Sequence, residues 1–259
     1  MHEGLKKIHA GEFAWHAYFH AEVQSLLRKG VMPPIGEGFR RFLAAPSVVT
    51  SFENVLANEI TEGKTEPYDS HPPLVERLAA IKKMPQGLNG HASESALELL
   101  ENPPELEQKF LWMIDASLKE KTFTYVDWDD LGEKVTIPNW RLLVSVNAKI
   151  LQAMTPESIP QQLKRLPAFA REIPDPPGEL LNYEQSESRA VYLLGVSVGL
   201  RLLEQGWRMH AQPGDYYLYK GEEHADVVGK LEAITKGEMS GEQWFAQCEK
   251  WGIAGLSLA

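Results

Sequence analysis

The chain has 259 residues, 43% hydrophobic and 24% charged, a balance that suits a folded globular protein with room for one large or two small domains. Its formal net charge of -10 speaks against nucleic acid as a partner and against anionic membrane surfaces, both of which bind cations. The single cysteine, Cys248, excludes an intramolecular disulfide and suits a reducing compartment.

Helical spacing of Leu5, Ile8, Trp15, Phe19, Val23 and Leu26 predicts a long first helix over Leu5 to Lys29, stopped by Gly30 and Pro33-Pro34. Short helices are expected over Glu37 to Ala44, Ser47 to Glu62 and Pro72 to Lys83. Pro85 and Gly87 to Gly90 make a break. Ser95 with Glu98 fits a capping box, in which a serine and a glutamate satisfy the free backbone donors of a helix start. Phe123, Tyr125 and Val126 suggest a short strand, and Asp127-Trp128-Asp129-Asp130 a turn. Helices are expected over Trp140 to Ala153 and from Thr155 to before Pro174. Pro174-Asp175-Pro176-Pro177-Gly178 is the clearest interdomain linker. A strong helix follows over Ser186 to Glu204, ended by Gly206. Trp207 to His210 and Tyr216 to Tyr219 predict two strands joined by Pro213-Gly214-Asp215. Two last helices run from His224 to Lys236 and from Ser240 to Trp251, with a second capping box at Ser240 and Gln243. The expected fold is mainly α with a small α+β C-terminal region, a multi-helix bundle plus a short β-hairpin. Its expected divisions are 1–88, 89–178 and 179–259. The longest apolar run, between Arg189 and Arg201, is short of the roughly 20 residues of a membrane helix, so no direct membrane insertion is expected. No signal-peptide layout opens the sequence.

The most informative stretch is Tyr68-Asp69-Ser70-His71-Pro72-Pro73-Leu74-Val75-Glu76-Arg77-Leu78. The prolines hold His71 extended at the entry of a helix, and Arg77 sits about one and a half turns inside it. The stretch resembles the His-Pro-Pro signature downstream of the active site in membrane zinc metallopeptidases of the HtpX and CAAX-prenyl-protease type. Gly30 to Phe42 is similar to the helix-turn-helix after the metal site in bacterial relatives. Asp127 to Asp130 and the closing Trp244, Cys248, Gly252 and Ile253 are similar to the C-terminal extension of some of them. The resemblance implies peptide-bond hydrolysis by zinc-activated water in the parent protein. It implies that His71 and Arg77 steady the oxyanion beside the metal cleft, with Glu76 orienting Arg77. The bland reading of the same residues is a helix-entry histidine and an arginine paired with a carboxylate.

The family's H-E-x-x-H helix is not located. The His2-Glu3 pair has Lys6 where the second histidine belongs, and no later glutamate motif is found. The chain is therefore expected to be the cytoplasmic, non-catalytic portion of such an enzyme, inactive alone, with no cofactor of its own and zinc in the intact parent. Its expected partners are the remainder of the peptidase, including its membrane spans, and polypeptide substrate. A stand-alone helical interaction module derived from such a peptidase is the alternative.

Three further constellations carry two readings each. His9, Glu12, His16 and His20 share one helix face and include legitimate zinc ligands, or form the polar border of an amphipathic helix. Gly195 and Gly199, four apart in an apolar run, match a membrane helix-dimer spacing or, in a segment this short, point to close helix packing in a core. Tyr216, Tyr217, Tyr219, Trp244 and Trp251 form a recognition surface, Tyr217, Tyr219 and Trp244 above all, or a small domain's core. Cys248 is spaced with Trp244 and Trp251 for burial. No P-loop, dinucleotide fingerprint or nucleophile elbow is present in the sequence.

Overall fold

The structure, a computed structural model, describes residues 2–62, 72–84, 99–176, 178 and 180–259. It is mainly helical, with a small sheet toward the C-terminal end. The chain forms two compact units: residues 1–128 with 212–215, and residues 129–211 with 216–259.

In the first unit, α1 (His2–Tyr18) runs through a π-helical turn at Phe19–Val23 into α2 (Gln24–Arg28). This is the long first helix expected from spacing, with a widened turn that spacing does not reveal. Val23, Leu26 and Leu27 are buried, whereas Ile8 at the far end is exposed. Gly30, at φ +74°, ends it in a backbone conformation that suits glycine. Strand β1 (Val31–Met32) pairs in parallel with β2 (Thr124–Tyr125), Val31 opposite Thr124. Between them lie α3 (Ile35–Ala44), α4 (Pro46–Glu62), α5 (Leu74–Lys82) and α6 (Pro103–Ile114). The Ser95–Glu98 box and the break at 87–90 fall outside the described residues.

The start of α3 is the mechanical centre of this unit. Its N-cap is Pro34, which brings no side-chain cap. Glu107 of α6 supplies one instead, accepting from the Ile35 and Gly36 amides at 2.9 and 2.8 Å. The Tyr18 hydroxyl donates to the Ile35 carbonyl, and the Trp128 indole donates to the Pro34 carbonyl, both at 2.8 Å. Gly38 lies against the Tyr18 hydroxyl and the Trp128 ring nitrogen, where a β-carbon would overlap both. Burial, then the nearby Glu107 and Glu22 carboxylates, push the Tyr18 phenol upward, so it stays a neutral donor. Trp15, Phe39 and Phe42 complete an aromatic cluster around this point. Residues 212–215 belong to the same unit: Arg41 donates to the Gln212 side-chain oxygen at 2.6 Å and Glu22 accepts from the Gly214 amide at 3.0 Å.

At the division stands α7 (Trp128–Leu131). The sequence suggests a turn over Asp127 to Asp130. The chain is helical from Trp128 on instead, supported by a Lys134–Asp130 ion pair at i,i+4 spacing. A π-helical turn at Gly132–Thr136 leads into α8 (Ile137–Val146). Pro138 has no amide to return to the carbonyl four residues back, and the wider turn takes up that mismatch.

The second unit continues with α9 (Ala148–Leu151), a 3-10 turn at Pro156–Ser158, α10 (Ile159–Lys164), α11 (Leu166–Glu172) and α12 (Tyr183–Glu204). It closes with strands β3 (Arg208–Gln212), β4 (Asp215–Lys220) and β5 (Glu223–Ala225), then α13 (Val227–Thr235) and α14 (Gly241–Trp251). The strand order is β3-β4-β5, with β4 and β5 antiparallel and Leu218 opposite Ala225. Strand β5 replaces the first turn of the helix expected from His224. Asp226 then caps α13 by accepting from the Gly229 amide at 2.8 Å. The Ser240–Gln243 capping box forms as its residues predict, with bonds of 2.8 and 3.2 Å. Helix α12 starts earlier than expected, because Asn182 and Gln185 make a capping box of their own.

Helix α12 is the core of this unit. Leu193, Leu194, Val198 and Leu202 have no exposed surface, and neither do Leu151, Ile159 and Phe169, which belong to the same cluster. Each such side chain stabilises the fold by about 1.5–3 kcal/mol through its transfer from water. Helices α11 and α12 pack on each other within the unit. The chain divides into its two compact units at 128/129, whereas the sequence suggests divisions at 88/89 and 178/179.

Two outcomes follow for the first unit. Gly38→Ala should lower its stability by about 3 kcal/mol through overpacking, and Glu107→Ala by about 1–2 kcal/mol through loss of the cap, both read by urea unfolding. Hydrogen bonds from Arg40 and Arg41 hold the Glu37 carboxyl at about 2, below its ordinary 4.5. A lowered folded-state value contributes stability that is complete above about pH 4.5 and lost as pH falls toward 2. The wild-type advantage over Glu37→Gln should thus be present at pH 6 and gone near pH 2. It should be small, because the pair is solvent-exposed.

Candidate functional site

Of the signature stretch, Pro72 to Leu78 is described and His71 is not. Pro73 caps α5 in extended conformation, and its carbonyl accepts from the Glu76 and Arg77 amides. Leu74 and Leu78, four apart, are buried at 2% and 6% exposure and dock the helix. Val75 and Glu76 lie exposed, whereas Arg77, three residues after Leu74, is half-buried on the same face. The helix is anchored by its leucines and holds Arg77 beside them, while Glu76 faces outward.

On α1, the His16 and His20 rings stack at 5.1 Å, and His20 lies 3.4 Å from the Gln24 side-chain oxygen. The side chain of His9 is outside those described. Among the described residues, no three histidine, cysteine, aspartate or glutamate side chains converge as metal ligands. Among them too, no helix is long and apolar enough to cross a membrane.

The aromatic set is split by the structure. Trp244 is fully buried, its indole donating to the Pro156 carbonyl at 2.7 Å, and its ring meets Trp251 edge-on at 5.9 Å. Trp244 is therefore a core residue rather than part of a recognition surface; one face of α14 carries Trp244, Cys248 and Trp251 inward. Tyr217 and Tyr219 do come together, on one face of the sheet. Tyr217 is stacked between His210 at 4.6 Å and His224 at 4.4 Å, with Tyr219 edge-on at 6.2 Å. The two histidines were not anticipated; the register sets His224 opposite Tyr219.

The other face of the sheet borders a cavity of about 540 Å3. Leu218 and Ala225 alternate toward this side, and α12 and α13 close it with Val191, Gly195, Val196 and Leu231. Trp140 of α8 and Met209 of β3 complete the apolar lining. Tyr192, Tyr216 and Val228 stand at its border with roughly half their surface in water, at 56%, 49% and 63%. A space of this size with this lining is of the kind that holds small molecules.

The two glycines of α12 behave differently here. At Gly199 a β-carbon would come within 2.7 Å of the Trp140 ring, so this glycine serves close packing, as its spacing suggests. At Gly195 a β-carbon would meet a Leu231 methyl at 3.6 Å, an ordinary contact. Its lack of a side chain leaves the floor of the cavity open instead.

Cys248 has no exposed surface. Burial, and secondarily the charge of Glu157, push its thiol up to about 12. It should react with a disulfide reagent at pH 8 at least ~100-fold more slowly in the native protein than in urea, since so little thiolate forms and none is accessible. Native reactivity equal to the unfolded rate would contradict the burial.

No protein-family model matches the sequence, no curated protein matches it, and no solved structure matches the fold.

Proposed function

We propose that this chain is the non-catalytic portion of a membrane-bound zinc metalloendopeptidase, lying on the cytoplasmic side. It contributes a wall of the catalytic cleft and a surface for polypeptide substrate or partner. The observation that carries this reading is the run Tyr68 to Leu78, in which His-Pro-Pro-Leu and Glu-Arg-Leu stand together at one spacing. The way α5 is built supports it: buried Leu74 and Leu78 hold the helix, and with it the half-buried Arg77 beside them. In such an enzyme Arg77, with His71, would donate to the oxyanion formed when zinc-bound water attacks a peptide carbonyl.

The second reading is a stand-alone interaction module of the same descent. What favours it is the cavity, which is lined by one unit with a core of its own. The reading frame upstream of Met1 separates the two: an H-E-x-x-H helix with hydrophobic spans supports the first, and its absence the second.

The purified chain, with or without added zinc, should leave casein intact. Metal-dependent cleavage by this chain alone would overturn both readings. In a polypeptide that joins it to the zinc-binding helix, Arg77→Ala should lower kcat about 10²–10³-fold with little change in KM, the loss expected of one oxyanion donor. An unchanged kcat would remove Arg77 from the cleft.

A further inference from the structure

The cavity beneath the sheet has a feature that core packing does not explain. Glycine in a helix interior costs about 1 kcal/mol relative to alanine, through backbone entropy. Gly199 has a compensating reason, since Trp140 occupies the space of its missing β-carbon. Gly195 has none: the nearest atom to its would-be β-carbon is a Leu231 methyl at an ordinary 3.6 Å. An apolar space left empty also forfeits the dispersion contacts its walls would make. Gly195 thus keeps open, at a cost in stability, a volume that a small side chain would begin to fill.

We infer that this cavity is a binding site for an uncharged, mainly apolar small molecule, floored by Gly195 and flanked by Leu218, Leu231 and Trp140. The charge of the lining sets the class. Among the described residues that line it there is no lysine or arginine, and the one carboxylate, Asp226, is engaged with the Gly229 amide at the start of α13. An anionic ligand would find no lysine or arginine among these residues, and a cationic one would find a carboxylate already committed to capping. His210 and His224 also border the cavity, with their rings stacked onto Tyr217. Thr136 and Ser188 bring hydroxyls to the border, enough for one hydroxyl or carbonyl on the ligand. The half-exposed Tyr192, Tyr216 and Val228 mark the side that water and ligand reach. This inference is independent of the peptidase reading, because every lining residue belongs to the second unit.

The test uses the full chain and the neutral fluorescent probe N-phenyl-1-naphthylamine. Saturable binding of one probe per chain is expected. Gly195→Leu should weaken it at least about tenfold, which is 1.4 kcal/mol of binding. Gly195→Ala, which adds one carbon at an unobstructed position, should raise Tm and weaken the probe about threefold. No saturable binding, or Gly195→Leu binding as wild type does, overturns the proposal. So does a lower Tm for Gly195→Ala, since the glycine would then be needed for packing. Displacement of the probe by equimolar casein also overturns it, by making the site one for polypeptide.

Discussion

Helix α12 has to be buried on nearly every side, and the second unit depends on how it manages that. From Leu193 to Leu202 its leucines and valines meet helices in several directions. A helix enclosed in this way cannot carry large side chains all round without pushing its neighbours apart. Gly199 resolves the conflict on one side by letting the Trp140 ring lie against the backbone. One turn earlier, Gly195 provides the same relief with no ring to take the space. A single helix therefore both anchors the core and opens a cavity in it, and the two glycines, alike in sequence, do opposite things.

The first unit is held by a different device. The start of α3 has no cap within its own segment, so the satisfaction of its backbone amides falls to Glu107. Tyr18 and Trp128 fix the adjoining carbonyls, and Gly38 permits their approach. Three segments far apart in sequence converge on residues 34–38. Helix α5, with its buried Leu74 and Leu78, belongs to the same unit, so the segment that carries the peptidase-like signature stands on an anchored frame. That is what a residue in the position proposed for Arg77 requires, because an oxyanion donor works through fixed placement.

Much of the helical architecture is legible in the sequence, and the reasons are local. The helix start at Ser240 and the stops at Gly30 and Gly206 follow from a capping group and positive-φ glycines. What was not legible depends on distant partners. The helical Trp128 to Leu131 reads as an acidic turn until Trp128 is seen to bond Pro34. The three residues of β5 are too few to show an alternating pattern. The prolines from 174 look like a linker, and no local signal shows that α11 and α12 pack on each other. For the site, strand alternation placed Tyr217 and Tyr219 together, whereas Trp244 was drawn inward by Pro156, a partner 88 residues away. The cavity had no sequence signal beyond Gly195, whose role depends on what does not fill the space beside it.

The central claim is that the second unit carries a permanent apolar cavity floored by Gly195. Diffraction from crystals of the protein held under xenon tests it most directly, since apolar cavities take up this gas. The account predicts one xenon peak beside Gly195, between Leu231 and Leu218, with the surrounding side chains unmoved. Density showing Leu231 or Trp140 folded against Gly195, with no xenon there, would contradict it.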